Sequence, residues 1–341
     1  MFGMHRIISI SLSVLLVMSL CTWSSSKAYN VKLSNYNQKQ QQNQQKGQVS
    51  ELNVIARNRT SLYNEVFRRT HFTEDSLLPF FSHDPSKPDG PEYWEDAAPS
   101  CGGNYQSPIS LHSRDAVSVR YRSLTINNAD SLPTSIKLQN DGHSVKYTPT
   151  YANGEQVTIS GGPLADEYVL HHFHFHWGST NDKGSEHYLN GRQFASEIHL
   201  VHYNKKYRSF DDAAAQPQGL AVIGFFYQIS SRLQDSFLDQ GLDAVRNPND
   251  TTTLREEDTY SISDIIGDTP FEFISYAGSL TTPPCYETVT WIVGTEILEM
   301  SETEIQAFRR LRDSSNSQMV DNFRPLQKRN GRKLFLFHDD L

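Results

Sequence analysis

From residue 168 the chain reads YVLHHFHFHWG, and its side chains sort by alternation. In an extended segment Phe173, Phe175 and Trp177 fall on one side, and His172, His174 and His176 fall on the other. A similar texture, rich in β-branched and aromatic residues and bounded by Gly, Pro, Asn or Asp, recurs in SIKLQNDGHSVKYTP, VTISGG, ASEIHLVHYN, LAVIGFFYQIS, PFEFISYAGSL and YETVTWIVG. These segments predict one β-rich domain from about Pro85 to the end of the chain. Helical spacing is confined to SSRLQDSFLDQGLDAV (230–245) and SETEIQAFRRLRD (301–313), where Ser301 and Glu304 fit a capping box. No repeat of fixed period runs through the sequence.

The N-terminal part has a different pattern. After His5 and Arg6 comes an apolar run, Ile7 to Leu20, followed by the polar CTWSSSKAYN, in which Ser26 and Ala28 form a small-x-small cleavage signal. Residues 1–28 are therefore expected to be a secretory signal peptide. The run is serine-interrupted and shorter than the roughly 20 apolar residues a membrane span needs. NYNQKQQQNQQKGQ has no apolar period, so residues 29–82 are expected to be a flexible Gln/Asn-rich leader, with any contacts made to extracellular matrix proteins. Of the three cysteines, Cys21 lies in the signal, which leaves Cys101 and Cys285 as an even pair able to form one disulfide. Asn58 in NRT and Asn249 in NDT are glycosylation acceptors. A net charge of −8 argues against a nucleic-acid binder and for a small-molecule partner.

Seven of the thirteen histidines lie between residues 171 and 202, a clustering that scatter does not explain. Two histidines on one strand face project in parallel, and a neighbouring strand can bring a third to the same point. In ASEIHLVHYN, Glu197, His199 and Val201 share a face, so His199 is the candidate. Three imidazoles suit zinc, which takes tetrahedral nitrogen ligands at about 2.0–2.1 Å. Alternation leaves open which of His172, His174 and His176 take part. HExxH and CxxC signatures are missing from the sequence, and an all-histidine site with an open fourth position points to catalysis.

FHFHWGS, GSEHYLNGRQFASEIHLVHYN, GSLTTPPCYETVTWIV, NYQSPI, NDGHSV and MVDNFRP together resemble the α-class carbonic anhydrase family, in family order and over residues 83–338. The resemblance implies an α+β, β-dominated fold, with a central, mostly antiparallel twisted sheet and peripheral helices, in a domain spanning 83–341. It implies Zn2+ as cofactor, held by His174, His176 and His199, and reversible hydration of carbon dioxide to bicarbonate and a proton. In carbonic anhydrases the zinc is established to lower the pKa of its water to about 7, and zinc hydroxide attacks the substrate. Thr281 matches the gatekeeping threonine: its hydroxyl is expected to donate to Glu186, and its backbone N–H to a substrate oxygen. Thr282 would line the same cavity. Val201, Val222, Leu280, Val289 and Trp291 match the apolar substrate pocket, and Glu197 the partner that fixes the tautomer of His199. His143 matches the proton shuttle. Cys101 and Cys285 match the disulfide of secreted members.

Four positions depart from the family pattern. Asp141 stands where Asn is usual, and Lys146 where Asn or Gln is usual. The tyrosine expected near the start of the domain is not found at its place, where His83 is the nearest candidate. His172 replaces a glutamine that accepts a hydrogen bond from a ligand histidine. An imidazolium could not accept that bond, so activity is expected to fall more steeply below neutral pH than in His172→Gln. The tail KLFLFHDDL has no long apolar stretch, and a secreted, extracellular protein without a membrane anchor is the expectation. The rival reading is a catalytically weak or silent carbonic-anhydrase-like matrix or binding protein. The intact His174, His176, His199, Glu186 and Thr281 count against it.

Overall fold

The computed structural model describes residues 81–341 except 121–122, 153, 234–236, 268–270 and 339–341. The expected signal peptide, the leader up to residue 80 and Asn58 lie outside the described residues. Ten strands lie side by side in the order Thr251–Arg255, Ser135–Asn140, Val145–Thr150, Tyr168–Trp177, Ser196–Asn204, Leu220–Ile229, Val289–Met300, Phe273–Gly278, Leu334–Phe337 and Ala116–Val119. Thr158–Gly161 and Leu124–Asn127 extend the sheet beside the first residues of the histidine strand Tyr168–Trp177. Val289–Met300 runs parallel to Leu220–Ile229, and Leu334–Phe337 parallel to Ala116–Val119. The other pairings in this sheet are antiparallel. The result is a β-dominated, mixed twisted sheet with short helices around it. Among the described residues, no helix is long and apolar enough to cross a membrane.

Each segment read as extended contains at least one strand. The expectation of a helix over 230–245 fails: its described residues form turns and a single 3-10 turn, Leu242–Val245. Leu238, Leu242 and Val245 are buried at helical spacing, which accounts for the sequence signal. Gly241 breaks the helix with φ 79°, a left-handed conformation, and a Cβ there would meet Leu138 at 3.1 Å. The helix expected over 301–313 forms as Glu302–Arg309, with both bonds of the Ser301–Glu304 capping box present.

That helix lies on the aromatic face of the histidine strand. Phe308 packs 4.9 Å from Phe175 and 5.1 Å from Trp177, ring centre to ring centre, and Tyr147 stacks on Phe173 at 4.8 Å. The opposite face carries a second apolar cluster that includes Val201, Val222, Val289 and Trp291. A third cluster, Phe81, Trp94, Ala98, Cys101 and Cys285, surrounds the Cys101–Cys285 disulfide. Phe81 is buried there with its ring flat against His143, 3.8 Å between centres.

Phe175 is fully buried against Tyr147, Tyr227 and Phe308. Phe175→Ala is expected to cost about 3–5 kcal/mol of stability in urea denaturation. A loss under about 1 kcal/mol would mean that the aromatic face does not brace the sheet.

Candidate metal centre

Strand register assembles the centre. The pairing of Tyr168–Trp177 with Ser196–Asn204 shifts by one residue between Leu170 and His172, so His171 is the bulged residue. Beyond the bulge, His174 sits directly opposite His199 and His176 opposite Glu197. The rings of His174, His176 and His199 lie 4.7 to 5.2 Å apart centre to centre. One ligand nitrogen from each comes within 4.8 Å of the other two.

The partners of two rings decide where their lone pairs point. His176 donates Nδ1–H to the Asn322 carbonyl at 2.7 Å, and His199 donates Nε2–H to Glu197 Oε1 at 2.7 Å. His176 Nε2 and His199 Nδ1 are therefore the nitrogens left as donors to a metal. His176 Nε2 is buried with no hydrogen-bond partner among the described residues. Burial, reinforced by neighbouring imidazoles, holds His174 well below its ordinary pKa of 6.5. Burial also lowers His199, with Glu197 opposing. Neutral nitrogen donors in this number are the donor set zinc takes, so the residues fit that ion.

Glu197 is fully buried, which alone would raise its pKa. The attraction of His187 and His199, with the hydrogen bonds they donate, outweighs burial and keeps the carboxylate ionised far below the usual range. His187 donates its backbone N–H to Glu197 Oε2 at 2.8 Å and its Nδ1–H to Oε1 at 2.7 Å. On its other side His187 meets the Tyr276 hydroxyl at 2.6 Å, Tyr276 donates to Ser107 Oγ at 2.8 Å, and Ser107 Oγ accepts the Ser279 N–H at 3.0 Å. A chain of hydrogen bonds thus runs from His199 to the loop that carries Thr281 and Thr282.

The apolar wall forms beside the imidazoles. Val222 pairs with Val201 on one side and Trp291 on the other, Val289 is buried in the same cluster, and half-buried Leu280 packs against it. Thr281 is buried and Thr282 half-buried at the edge of this wall. The expected bond from the Thr281 hydroxyl to Glu186 is not formed. Glu186 Oε1 accepts the Arg324 N–H at 2.7 Å, while Oε2 has no hydrogen-bond partner among the described residues and lies 3.5 Å from His176 Nε2. His172 likewise departs from expectation. It shares a hydrogen bond with His171 at 2.8 Å and stacks on His174 without bonding to it. Burial, then the charge of Lys146, holds His172 well below 6.5, which removes the reason for a steeper acid limb relative to His172→Gln.

His143 lines a cavity of about 790 Å³ with Phe81, His83 and Asn322. Asp141, the departure next to it, accepts the backbone N–H groups of His143 and Ser144, both at 2.9 Å, and so shapes the turn that presents the imidazole. Lys146 pairs across the strands with His174. His83 sits 6.4 Å from His176 and 6.2 Å from His143 by ring centres. Sequence reasoning gave no role to His187, Tyr276, Ser107, Asn322 or Arg324. Four of these lie inside the quoted motifs, but the partners they meet are set by the fold.

An all-imidazole centre thus lies on a wide mixed sheet, with one apolar wall and one wall of carboxylates and histidines. The comparisons with known proteins supply the family. The eukaryotic-type carbonic anhydrase family matches residues 89–338. The chain is 38% identical over 250 residues to carbonic anhydrase 7 of Mus musculus and 37% identical over 250 residues to that of Homo sapiens; each match covers 72% of this chain and 92% of the relative. It is 34% identical over 252 residues to carbonic anhydrase 3 of Mus musculus, covering 71% of this chain and 93% of that protein. The chain belongs to the α-class, eukaryotic-type carbonic anhydrase family, whose members depend on zinc and hydrate carbon dioxide.

Glu197→Gln replaces the buried charge that sets the tautomer of His199. It is expected to weaken zinc affinity about tenfold to a hundredfold, the range known for such partners of metal-bound histidines. Competition with a calibrated chelator measures it, and unchanged affinity would mean that Glu197 serves the fold alone.

Proposed function

We propose that this protein is a secreted carbonic anhydrase whose zinc is held by His174, His176 and His199. The observation that carries the proposal is the meeting of three imidazoles within 4.8 Å, each on a strand. Zinc bound there would supply a Lewis acid that makes water nucleophilic at neutral pH. The protein's own residues do the rest. Glu197 and the Asn322 carbonyl orient two of the ligand rings. Val201, Val222, Leu280, Val289 and Trp291 offer carbon dioxide an apolar surface, and the Thr281 N–H and Thr282 lie where an anionic product needs a polar edge. Glu186 and Thr281 act together in this reading: a rotation of the Thr281 hydroxyl towards Glu186 would orient the attacking oxygen.

His143 passes the released proton to buffer. Its ring stacks on Phe81 at the wall of the open cavity, where it can exchange with solvent. Burial lowers its pKa from 6.5, opposed by Asp141, Asp313 and Asp89. A shuttle must be neutral to accept a proton, so a lowered pKa keeps it competent on the acid side of 6.5. The Cys101–Cys285 disulfide and the signal peptide read from the sequence support export, and Asn249 is exposed for glycosylation.

Stopped-flow carbon dioxide hydration, run with a zinc assay, tests the proposal. The wild-type protein should hold about one zinc and hydrate carbon dioxide, and His199→Ala should lose both. Zinc without hydration would favour the matrix or binding role. His143→Ala should lower kcat in weak buffer about tenfold or more, leave kcat/KM in place and recover in imidazole buffer. In the wild type, kcat in weak buffer should fall only below pH 6.5; a fall centred above it would contradict the lowered pKa.

A further inference from the structure

One row of residues crosses the sheet from its edge to the metal centre. Thr251 pairs with Gln139, Gln139 with Lys146, Lys146 with His174, and His174 with His199. These pairings are antiparallel, so opposite residues send their side chains to the same face, with Cα atoms about 4.5–5.5 Å apart. That face is the one the imidazoles occupy. Thr251 is exposed at the outer end, while Gln139 and Lys146 are half-buried. Among the described residues, the Gln139 side chain forms no hydrogen bond, and the Lys146 ammonium forms neither a hydrogen bond nor an ion pair. Burial is the largest cause of the lowered pKa of His172 and His174, and the Lys146 charge adds to it at both. Around His143 the balance of charge has the opposite sign. The cavity it lines carries Asp84, Asp89, Asp313 and Asp321 against Lys87 and Lys183. Lys87 lies 3.9 Å from Asp313 and Lys183 2.9 Å from Asp321, which leaves the carboxylates of Asp84 and Asp89 in excess. A surface of that sign favours a departing proton and repels an anion.

Resting on the carbonic anhydrase reading above, we propose that Lys146 and Gln139 form an anion subsite one strand away from His174, which takes the bicarbonate product and keeps its path apart from that of the proton. The pair suits a small oxyanion. One oxygen faces the ammonium, a charge-assisted donor, and another accepts an N–H of the Gln139 amide. Both donors stand on paired strands, so their spacing is fixed by the sheet. Carbon dioxide carries no charge and gains nothing from Lys146, so the row separates product from substrate. His174 bounds the subsite on the inner side, and Thr251 opens it to solvent on the outer. The two charged products of hydration then leave by surfaces of opposite sign.

The test compares the zinc-loaded wild type with Lys146→Gln and Lys146→Arg, by stopped-flow dehydration of bicarbonate and by crystallography after soaking in bicarbonate. Anion density between the side chains at positions 139 and 146 is expected in the wild type and lost in Lys146→Gln. In Lys146→Gln, KM for bicarbonate should rise about twofold to fivefold at low ionic strength, the worth of one half-exposed ionic contact. Lys146→Arg, which keeps the charge, should return close to the wild-type value. The difference between wild type and Lys146→Gln should shrink at about 1 M ionic strength, where the screening length is about 3 Å. An unchanged KM, a rise that persists at high salt, a rise that Lys146→Arg does not reverse, or density at the metal alone would overturn the inference. So would a fall in zinc content in Lys146→Gln, which marks a structural role. A wild-type protein that binds no zinc, or neither hydrates nor dehydrates, would instead sink the underlying reading, and the density at Lys146 would still be scored on its own.

Discussion

The molecule depends on one cross-strand register, His174 opposite His199 and His176 opposite Glu197. Side chains alternate along a strand, so a slip of one residue would turn the imidazoles into the aromatic core and the phenylalanines into the cavity. The register is held from the face away from the imidazoles: Phe173, Phe175 and Trp177 are locked among Tyr147, Tyr227 and Phe308. The next strand contributes by leaving room. Gly224 pairs with His199, and a Cβ there would sit 3.3 Å from Glu197 Oε1 and 3.7 Å from His199 Cδ2. Core and centre are thus two faces of the same constraint, and the chemistry inherits its geometry from hydrophobic packing.

Around that register the polar groups form connected networks. Burying Glu197 is costly by itself, and two donating histidines more than offset the cost. Its network continues through His187, Tyr276 and Ser107 to Ser279, whose carbonyl accepts the Trp291 indole N–H at 3.0 Å. The apolar wall and the Thr281 loop are therefore tied to the same carboxylate as the His199 ring. Arg324 makes a second connection, from Glu186 to Gln106, Ser107 and Cys101. Asn322 makes a third: its side chain bonds the backbones of Trp177 and His143, while its own carbonyl takes His176.

Alternation made the long strands and the imidazole face legible, because period-two burial is a local property of sequence. Alternation did not show which of three alternating histidines face His199, since that depends on a bulge at His171. Residues 230–245 misled because burial at positions 238, 242 and 245 mimics a helix face that Gly241 interrupts. The short strands Ala116–Val119, Leu124–Asn127 and Leu334–Phe337 were not read from the sequence, whereas the equally short Thr158–Gly161 was marked by the glycines that end it. Among site residues, Glu197 stood out by sharing a face with His199. Arg324 and Asn322 did not, since they act from a coil segment more than a hundred residues away, through backbone groups that no side-chain pattern encodes.

Phe81 and His83 stand at the very start of the described chain, yet they furnish part of the cavity. Sheet pairing does not hold this segment. Its anchors are the Ser82 N–H on the Asp89 carbonyl at 2.9 Å, the Trp94 indole on the Ser82 carbonyl at 3.2 Å, and the packing of Phe81 on Trp94 and His143. Removal of residues 81–83 would leave every described strand and the disulfide in place while taking away one wall of that cavity, so the fold and the cavity have different N-terminal limits.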